Sequence, residues 1–489
     1  MFSWESLHSV AIGGLAPHAT ELAAGLQRRG HEVHLFTRMG RGQSRYDLIG
    51  GVHYHRCPFE PHPDFLSEIG RMNDSFLWHF VEKETFLGKP FDLVHGHDWL
   101  SVWALARAKN QYHRPAVLTI HSTEFGRCGN SLWDDPLSRR IRDIEWEGTY
   151  VADRVICVSK TLSRETQEQY TVPADKTFAI YNGVHPGKYD GPVDVPSVRR
   201  KLSIGVDDPC VLFAGRLTWQ KGPDLLLEAV PRVVQRYPNA KVVFAGDGDM
   251  RAGLERQATS SGLSPATRFL GHRNGGELIG LFKSTDVVCV PSRNEPFGIV
   301  ILEAWSARKP VVATRIGGPE EFVLDDYNGI KVAADADSIG QGLEALLSDR
   351  EACEAMGDNG RRDAESRFSW DRTAEQTEAA YESALGHASR PGTASDLMRE
   401  NENMSEQVRQ VTSRPEPTTR SKPAAEVLRQ GEPTHEEIRK RAYDIYLARK
   451  GAPGDPTKDW LQAERELRAS KRQAVTASRF AGESKVTKA

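Results

Sequence analysis

The chain has 489 residues, 39% of them hydrophobic and 27% charged, with a formal net charge of −3. That length exceeds one ordinary domain and asks for two large ones plus an addition. The near-neutral balance gives no footing for nucleic acid, no run approaches the roughly 18 apolar residues of a membrane span, and "MFSWESLHSV" has neither the basic nor the apolar stretch of a secretory signal.

Six cysteines (Cys57, Cys128, Cys157, Cys210, Cys289, Cys353) are scattered without a C-x-x-C pair, several inside apolar runs such as "RVICVS". They are expected to be small core residues of a cytoplasmic protein.

In chain order, candidate strands are 32–37, 91–97, 115–122, 154–159, 209–215, 240–246, 285–291 and 309–315. These runs, apolar on both faces and separated by helix-length segments, predict α/β architecture: two doubly wound, Rossmann-like domains with parallel sheets. The Gly-, Pro- and Asp-rich stretch 183–208 separates them. The expected domains are 1–187 and 188–385, the last helix of the second crossing back to the first, with hinges near 183–190 and 368–388 that close the cleft around substrate. Segments 57–90 and 123–147 carry no signal that can be decoded. Residues 386–433 have the composition of a disordered linker. A helical hairpin is expected over 434–470, with capping boxes at Thr434/Glu437 and Asp459/Gln462, then a basic tail, 471–489.

Four stretches carry chemistry, each where a strand ends, which is where open α/β sheets bind ligands. In "AIGGLAPHATELAAGL", Gly13 and Gly14 precede an amphipathic helix whose first amides could face an anion; the glycine spacing is not that of a dinucleotide-binding loop. "TIHSTEFGR" puts His121 at a strand end, followed by the polar Ser122, Thr123, Glu124 and Arg127, and "HGHDWL" gives Asp98 the matching place on the strand before. In "FAGRLTWQKG", Arg216 and Lys221 offer a planar guanidinium and a point ammonium around one loop, which suits a diphosphate.

The fourth stretch, "PSRNEPFGIVILEAW", places Glu295 and Glu303 on either side of an apolar run. If the helix starts near Gly298, the amides of Gly298, Ile299 and Val300 form an anion site between the two carboxylates. That combination suits a phosphate joined to sugars. "GDGD" (246–249) has the look of a metal-binding Asp-x-Asp, but Asp247 and Asp249 fall in a turn after a strand.

"GGLAPHATELAAGL", "HGHDW", "TIHSTEFG", "AGRLTWQKG", "GDGDMR", "EPFGIVILEA" and "GGPEEFV" stand in the order found in retaining glycosyltransferase family four, and residues 1 to about 385 resemble that family, on its glycogen synthase-like side. The resemblance implies the two-domain GT-B fold and transfer of a hexose, of glucose type, from a nucleoside diphosphate sugar to an acceptor hydroxyl, such as that of a glucan or other glycan, with anomeric retention. It implies that Glu295 contacts the donor hexose, Glu303 the ribose, and Arg216 and Lys221 the diphosphate. Gly13, Gly14 and the amides of Gly298, Ile299 and Val300 would approach the same phosphates, His121 the sugar, and Asp98 would lie on the acceptor side. No metal or other cofactor is implied, the nucleotide sugar being a co-substrate. Two departures stand out: Ala11 occupies the place where bacterial glycogen and starch synthases carry a lysine, and only "MF" precedes "SWE", so the true start is expected upstream, against which N-terminal sequencing to Met1 would count. "RAYDIYLARKGAPGDPTKDWLQAERELR" resembles a small bacterial domain of unknown function, implying an unidentified partner. The rival readings are a catalytically silent sugar-nucleotide sensor and a sugar-nucleotide epimerase on the same fold.

Overall fold

A computed structural model describes residues 1–129, 135–388, 441, 445, 462–463 and 465–471. The chain divides into a large unit, 1–108 with 114–385, and a small one of 109–113 with 386–489. The linker read over 386–433, beyond residue 388, and the tail beyond 471 lie outside the described residues, as does most of the hairpin. Its described residues are helical, and Arg441 pairs with Glu466 at 2.7 Å.

The large unit contains two sheets. The first joins β1 (Phe2–Ser3), β2 (His34–Arg38), β3 (Tyr46–Ile49), β4 (Val52–Cys57), β5 (Val94–His97), β6 (Ala116–Ile120), β7 (Arg154–Cys157) and β8 (Thr177–Ala179). Their order is β3-β4-β2-β1-β5-β6-β7-β8. The second joins β9 (Cys210–Ala214), β10 (Lys241–Ala245), β11 (Thr267–Gly271), β12 (Val287–Val290), β13 (Val311–Thr314) and β14 (Gly329–Val332), in the order β11-β10-β9-β12-β13-β14. Strands such as "AVLTI" in β6 and "VVCV" in β12 are buried along their whole length, because helices cover both faces of each sheet. The strand order reverses between β1 and β5 in one sheet and between β9 and β12 in the other. Crevices form at such switch points, and the predicted site residues follow β1, β5, β6, β9 and β12.

The sequence reading missed several elements. β3 and β4 pair antiparallel, joined by Gly50 and Gly51 at φ 56° and 81°, a two-residue turn that only glycine-like residues fill readily. The segment 57–90 holds the helix Phe65–Leu87, with Asp64 accepting from the amide of Ser67 at 2.8 Å and Gly88 closing it at φ 65°. Ile69, Met72, Phe76 and Phe80 make its buried stripe, a helical period diluted by the polar residues between them. Segment 123–147 holds the helix Glu124–Arg127 and most of Pro136–Val151. β1 is two residues long, yet Phe2 pairs with Phe36 and Gly96 and packs on the rings of Phe76 and Phe80.

The two sheets are joined by two crossings that bond to each other. Val184 donates its amide to the carbonyl of Phe368 at 2.8 Å. The helix Trp370–Ala388 then joins the core of the first domain, Ala374 in one cluster with Leu22 and Leu26 of the helix Leu15–Arg28, and Ala380 and Ala384 in another with Val117 and Ile156 of the first sheet. A Cβ on Gly183 would run into the backbone of Ser369 and Trp370, which no rotamer change can relieve. Gly183→Ala should therefore lower stability by about 1–3 kcal/mol, read as a fall in Tm; an unchanged Tm would show that the crossings are not closely packed.

Candidate active site

The second sheet supplies the more complete half of the site. After β12 the chain turns through 291–298 into the helix Ile299–Ser306, with Gly298 capping it at φ 97°. A left-handed residue here brings the helix start to Ile299, and the first amides of a helix have no partner inside it. Glu295, just before this helix, is 4% exposed. It accepts both from Lys221 Nζ (2.9 and 2.7 Å) and from Ser292 Oγ (2.8 Å). Its backbone is fixed as well: the amide of Gly318 donates to the Glu295 carbonyl at 2.9 Å, and Gly317, at φ 72°, lies where any Cβ would strike that carbonyl. The glycines of "GGPEEFV" are there so that the chain can approach Glu295.

Lys221 ends a short turn after β9, and Gly222 at φ 64° leads it into the helix Pro223–Arg236. Arg216, on the same loop, is exposed, and among the described residues no side-chain hydrogen bond or ion pair engages its guanidinium. Glu303 lies one turn into the helix Ile299–Ser306. Burial pushes its carboxyl up to about 7, opposed by the hydrogen bond from Tyr189. Asp247 of "GDGD" is spent on Arg251 at 2.9 Å.

The first sheet supplies the other wall. The helix Leu15–Arg28 begins after Gly14 as expected, but the amide of Gly13 is not free. Glu5 Oε2 accepts from the amides of Ile12 and Gly13 at 2.8 and 2.9 Å, so a carboxylate of the chain already occupies the anion position read from the paired glycines. Gly14 reaches across the cleft, its Cα hydrogen facing Ile299 Cδ1, with an added Cβ only 3.5 Å from it.

Asp98 also differs from expectation. Its backbone stands at φ 58°, its side chain is 9% exposed, and Oδ1 accepts from the amide of His121 at 2.9 Å. A carboxylate turned into the protein in this way holds the start of the next loop and does not point outward to an acceptor. The polar run after His121 is likewise an internal brace: Arg127 bonds Ser122, Glu124 and Glu145, and Glu145, fully buried, has its carboxyl pushed up to about 7 by desolvation.

His121 is partly exposed on the floor of the cleft. Burial takes its imidazole down to about 3, so it is neutral near pH 7. Two histidines that sequence reasoning passed over lie beside it. His18 packs edge-on at 4.4 Å between ring centroids, and His97 Nδ1 lies 3.3 Å from His121 Nε2. The "HGH" of β5 and the histidine four residues after Gly14 were visible; what hid them was that a helix and two strands must converge to bring them together. Also missed was Glu321, which accepts from the amides of Lys160 and Thr161 (3.1 and 2.6 Å) and from Tyr181 OH (2.8 Å). A carboxylate of the second lobe thus caps the helix Lys160–Tyr170 of the first, and Gly14 and Ile299 approach each other across the cleft.

Two outcomes follow from these environments. Removing Lys221 alone leaves a buried carboxylate unpaired. Lys221→Met should therefore lower Tm more than the double variant Lys221→Met/Glu295→Gln does; equal losses would show that the pair is not coupled. Glu303, with its folded pKa raised, stabilises the protein when protonated; that contribution is present below the ordinary glutamate pKa and is lost as pH rises through about 7. Glu303→Gln should flatten the decline of Tm between roughly pH 5 and 8, and parallel profiles for variant and parent would refute the raised value.

The family model "Glycosyltransferase Family 4" matches residues 12–188, "Glycosyl transferases group 1" matches 194–363, and a family of proteins of unknown function, DUF2934, matches 433–469. An uncharacterised glycosyltransferase of Methanocaldococcus jannaschii is 39% identical over 391 residues, covering 79% of this chain and 98% of that protein. The glycogen synthase of Mycobacterium tuberculosis (strain H37Rv) is 29% identical over 402 residues, covering 78% of this chain and 93% of its own. Among solved structures, the Anabaena HepE protein in complex with UDP-glucose superposes with a TM-score of 0.63 at 22% identity, over 78% of this chain and all of that one. No helix among the described residues is long and apolar enough to cross a membrane. Two Rossmann-like halves, a cleft lined at both switch points, and these relatives place the chain among the GT-B glycosyltransferases: it belongs to that family and is a nucleotide-sugar-dependent transferase.

Proposed function

We propose that the protein transfers a glucose-type hexose from a nucleoside diphosphate sugar to a carbohydrate hydroxyl, with retention at the anomeric carbon. The observation that carries this reading is the order of Glu295, the helix start at Gly298 and Glu303 along one strand–helix junction, with Lys221 paired to the first carboxylate and Arg216, exposed and without a side-chain partner among the described residues, on the same loop as Lys221. The similarity to a glycogen synthase supports the hexose and the glycan acceptor.

Each group has a task that its surroundings suit. The amides of Gly298, Ile299 and Val300 and the guanidinium of Arg216 receive the diphosphate, with Gly14 opposite. Glu303 accepts from the ribose hydroxyls, where its high pKa keeps the cost of burial low in the free protein. Glu295 holds the hexose hydroxyls and His121, neutral, donates or accepts at the sugar edge nearest the bond to be broken. Asp98 acts through His121, fixing its backbone. In the free protein Lys221 and Glu295 satisfy each other. When donor enters, the ammonium turns to the phosphate and the carboxylate to the sugar, so neither charge is ever left buried without a partner.

Retention without a protein nucleophile follows from front-face attack, in which the acceptor hydroxyl approaches on the side the diphosphate leaves and gives its proton to the departing phosphate. The protein's share is to stabilise charge on that leaving group, where loss of a single donor costs about 2.7–4 kcal/mol. Arg216, Lys221 and the helix amides meet that charge, and the chemistry is drawn without a metal. The small C-terminal unit is read as a docking module for a partner outside the transfer reaction.

A thermal-shift panel with ADP, UDP and GDP and their hexose conjugates tests the donor site. Charge-assisted hydrogen bonds contribute about 1.5–3 kcal/mol each. One nucleotide should therefore raise the Tm of the parent while Arg216→Ala binds it at least about tenfold more weakly. The matching sugar nucleotide should then yield an α-linked product by NMR. A β-linked product would overturn retention, and no shift with any nucleotide would overturn the donor site.

A further inference from the structure

We infer that His18, His97 and His121 form a binding site for one borderline divalent transition ion, of the zinc, cobalt or nickel type, on the floor of the cleft. The three rings come from three elements: the helix Leu15–Arg28, the last residue of β5 and the first residue after β6. One nitrogen of each lies within 4.8 Å of those of the other two. The ring planes are inclined to one another, at 82° for His18 and His121, 67° for His18 and His97 and 35° for His97 and His121, so no two of the rings are stacked parallel. His97 Nδ1 and His121 Nε2 are 3.3 Å apart. Two imidazole nitrogens bound at about 2.0–2.1 Å to one tetrahedral ion are themselves about 3.4 Å apart.

The protonation pattern fits as well. His18 Nδ1 lies 2.7 Å from Asn182 Oδ1. A proton on Nδ1 donated to that oxygen leaves Nε2 as a bare lone pair, which is how an outer hydrogen bond orients a ligating histidine. His18 and His97 are 2% and 0% exposed, and Nε2 of His18 has no hydrogen-bond partner. Buried polar atoms left in that state call for a ligand. Neighbouring His95 is different: Tyr381 OH and Thr119 Oγ1, each at 2.7 Å, use both of its nitrogens.

A second group, Glu32, His34 and His53, does not compete. There His34 and His53 stack face to face, 7° from parallel, so their lone pairs run side by side, and Lys89 and His55 already engage Glu32 and His34. Three imidazoles without a carboxylate select against magnesium and calcium, which demand oxygen ligands. The partly exposed edge of His121 gives the ion its route from the cleft and leaves a coordination position open toward it. Because the proposed sugar contact is also His121, ion and donor hexose exclude each other, and the ion inhibits; this second half rests on the proposed function, the binding site does not.

The test is a cobalt(II) titration of the chelator-stripped full-length protein, followed by visible absorption, with zinc(II) calorimetry beside it. One equivalent should bind and give the intense ligand-field bands of a four-coordinate ion. Asn182→Ala should weaken binding by about 10–100-fold, His97→Gln should abolish the bands, and His53→Ala should change nothing. Circular dichroism and an unchanged Tm of the ion-free His97→Gln protein would guard against misfolding. No bands at millimolar cobalt, or equal binding by His97→Gln, overturns the site. In the transfer assay zinc should raise the apparent KM for donor without lowering kcat; binding without that competition overturns the inhibitory role alone. Binding by a protein that transfers no sugar upholds the site and removes the proposed function.

Discussion

The ion pair between Lys221 and Glu295 is the contact around which the cleft is arranged. A carboxylate 4% exposed to solvent is costly unless paired, so the loop after β9 and the loop after β12 must arrive at the same place with fixed backbones. That requirement explains features that are otherwise separate. Gly222 reverses the first loop behind Lys221, Gly298 turns the second into its helix, and Gly317 lets a third strand–helix junction press on the Glu295 carbonyl. Ser292 donates a further hydrogen bond to the carboxylate. The arrangement satisfies both charges without a ligand.

On the other wall the same problem is met differently. Carboxylates outnumber cations behind His121: Asp98, Glu124 and Glu145 share Arg127, whose arms also hold the Ser122 backbone. The excess is accommodated by raised pKa values at Asp98 and Glu145, both driven first by desolvation. Their work is local and structural. They hold the loop that begins at His121 so that the imidazole faces the cleft from a fixed backbone, and the strained φ of Asp98 is tolerated because its carboxylate is bonded to the His121 amide.

How far the sequence foretold this depended on range. Short, strongly apolar strands were legible, since parallel strands covered on both faces read as uniform runs, and so was the helix start at Gly298. Arg216, Lys221 and Glu295 could be singled out because each lies in the loop that follows a strand end, where topology alone puts a cleft, and Glu303 because it lies in the helix entered from one of those loops. Contacts that join distant segments were not legible. Glu5 lies in the same opening stretch as Gly13, but nothing in the spacing says that its carboxylate bends back onto that amide. His18 and His97 are separated by a sheet's worth of chain. The hairpin 46–57 was hidden because "VHYHRC" alternates with histidines and an arginine that pack inward, Arg56 being held by Asp47 and backbone carbonyls and buried.

The closed cleft is held by few contacts of ordinary strength, and that limits how firmly it can be shut. Glu321 caps a helix across the lobes, an interaction of about 1 kcal/mol for a capping side chain, and Tyr181 adds one hydrogen bond to the same carboxylate. Other close approaches are those of Gly14 toward Ile299, Gly126 toward the Asn294 side chain and Gly129 toward the Trp219 ring, with the Tyr181 ring 5.9 Å from that of Phe297. Set against this, the crossings at Val184 and Phe368 and the helix Trp370–Ala388 are anchored in the core of the first sheet. The second lobe can therefore turn about those crossings at small cost while its own sheet stays intact. A transferase needs that balance, because the cleft must exclude water during transfer and must then open to release its products.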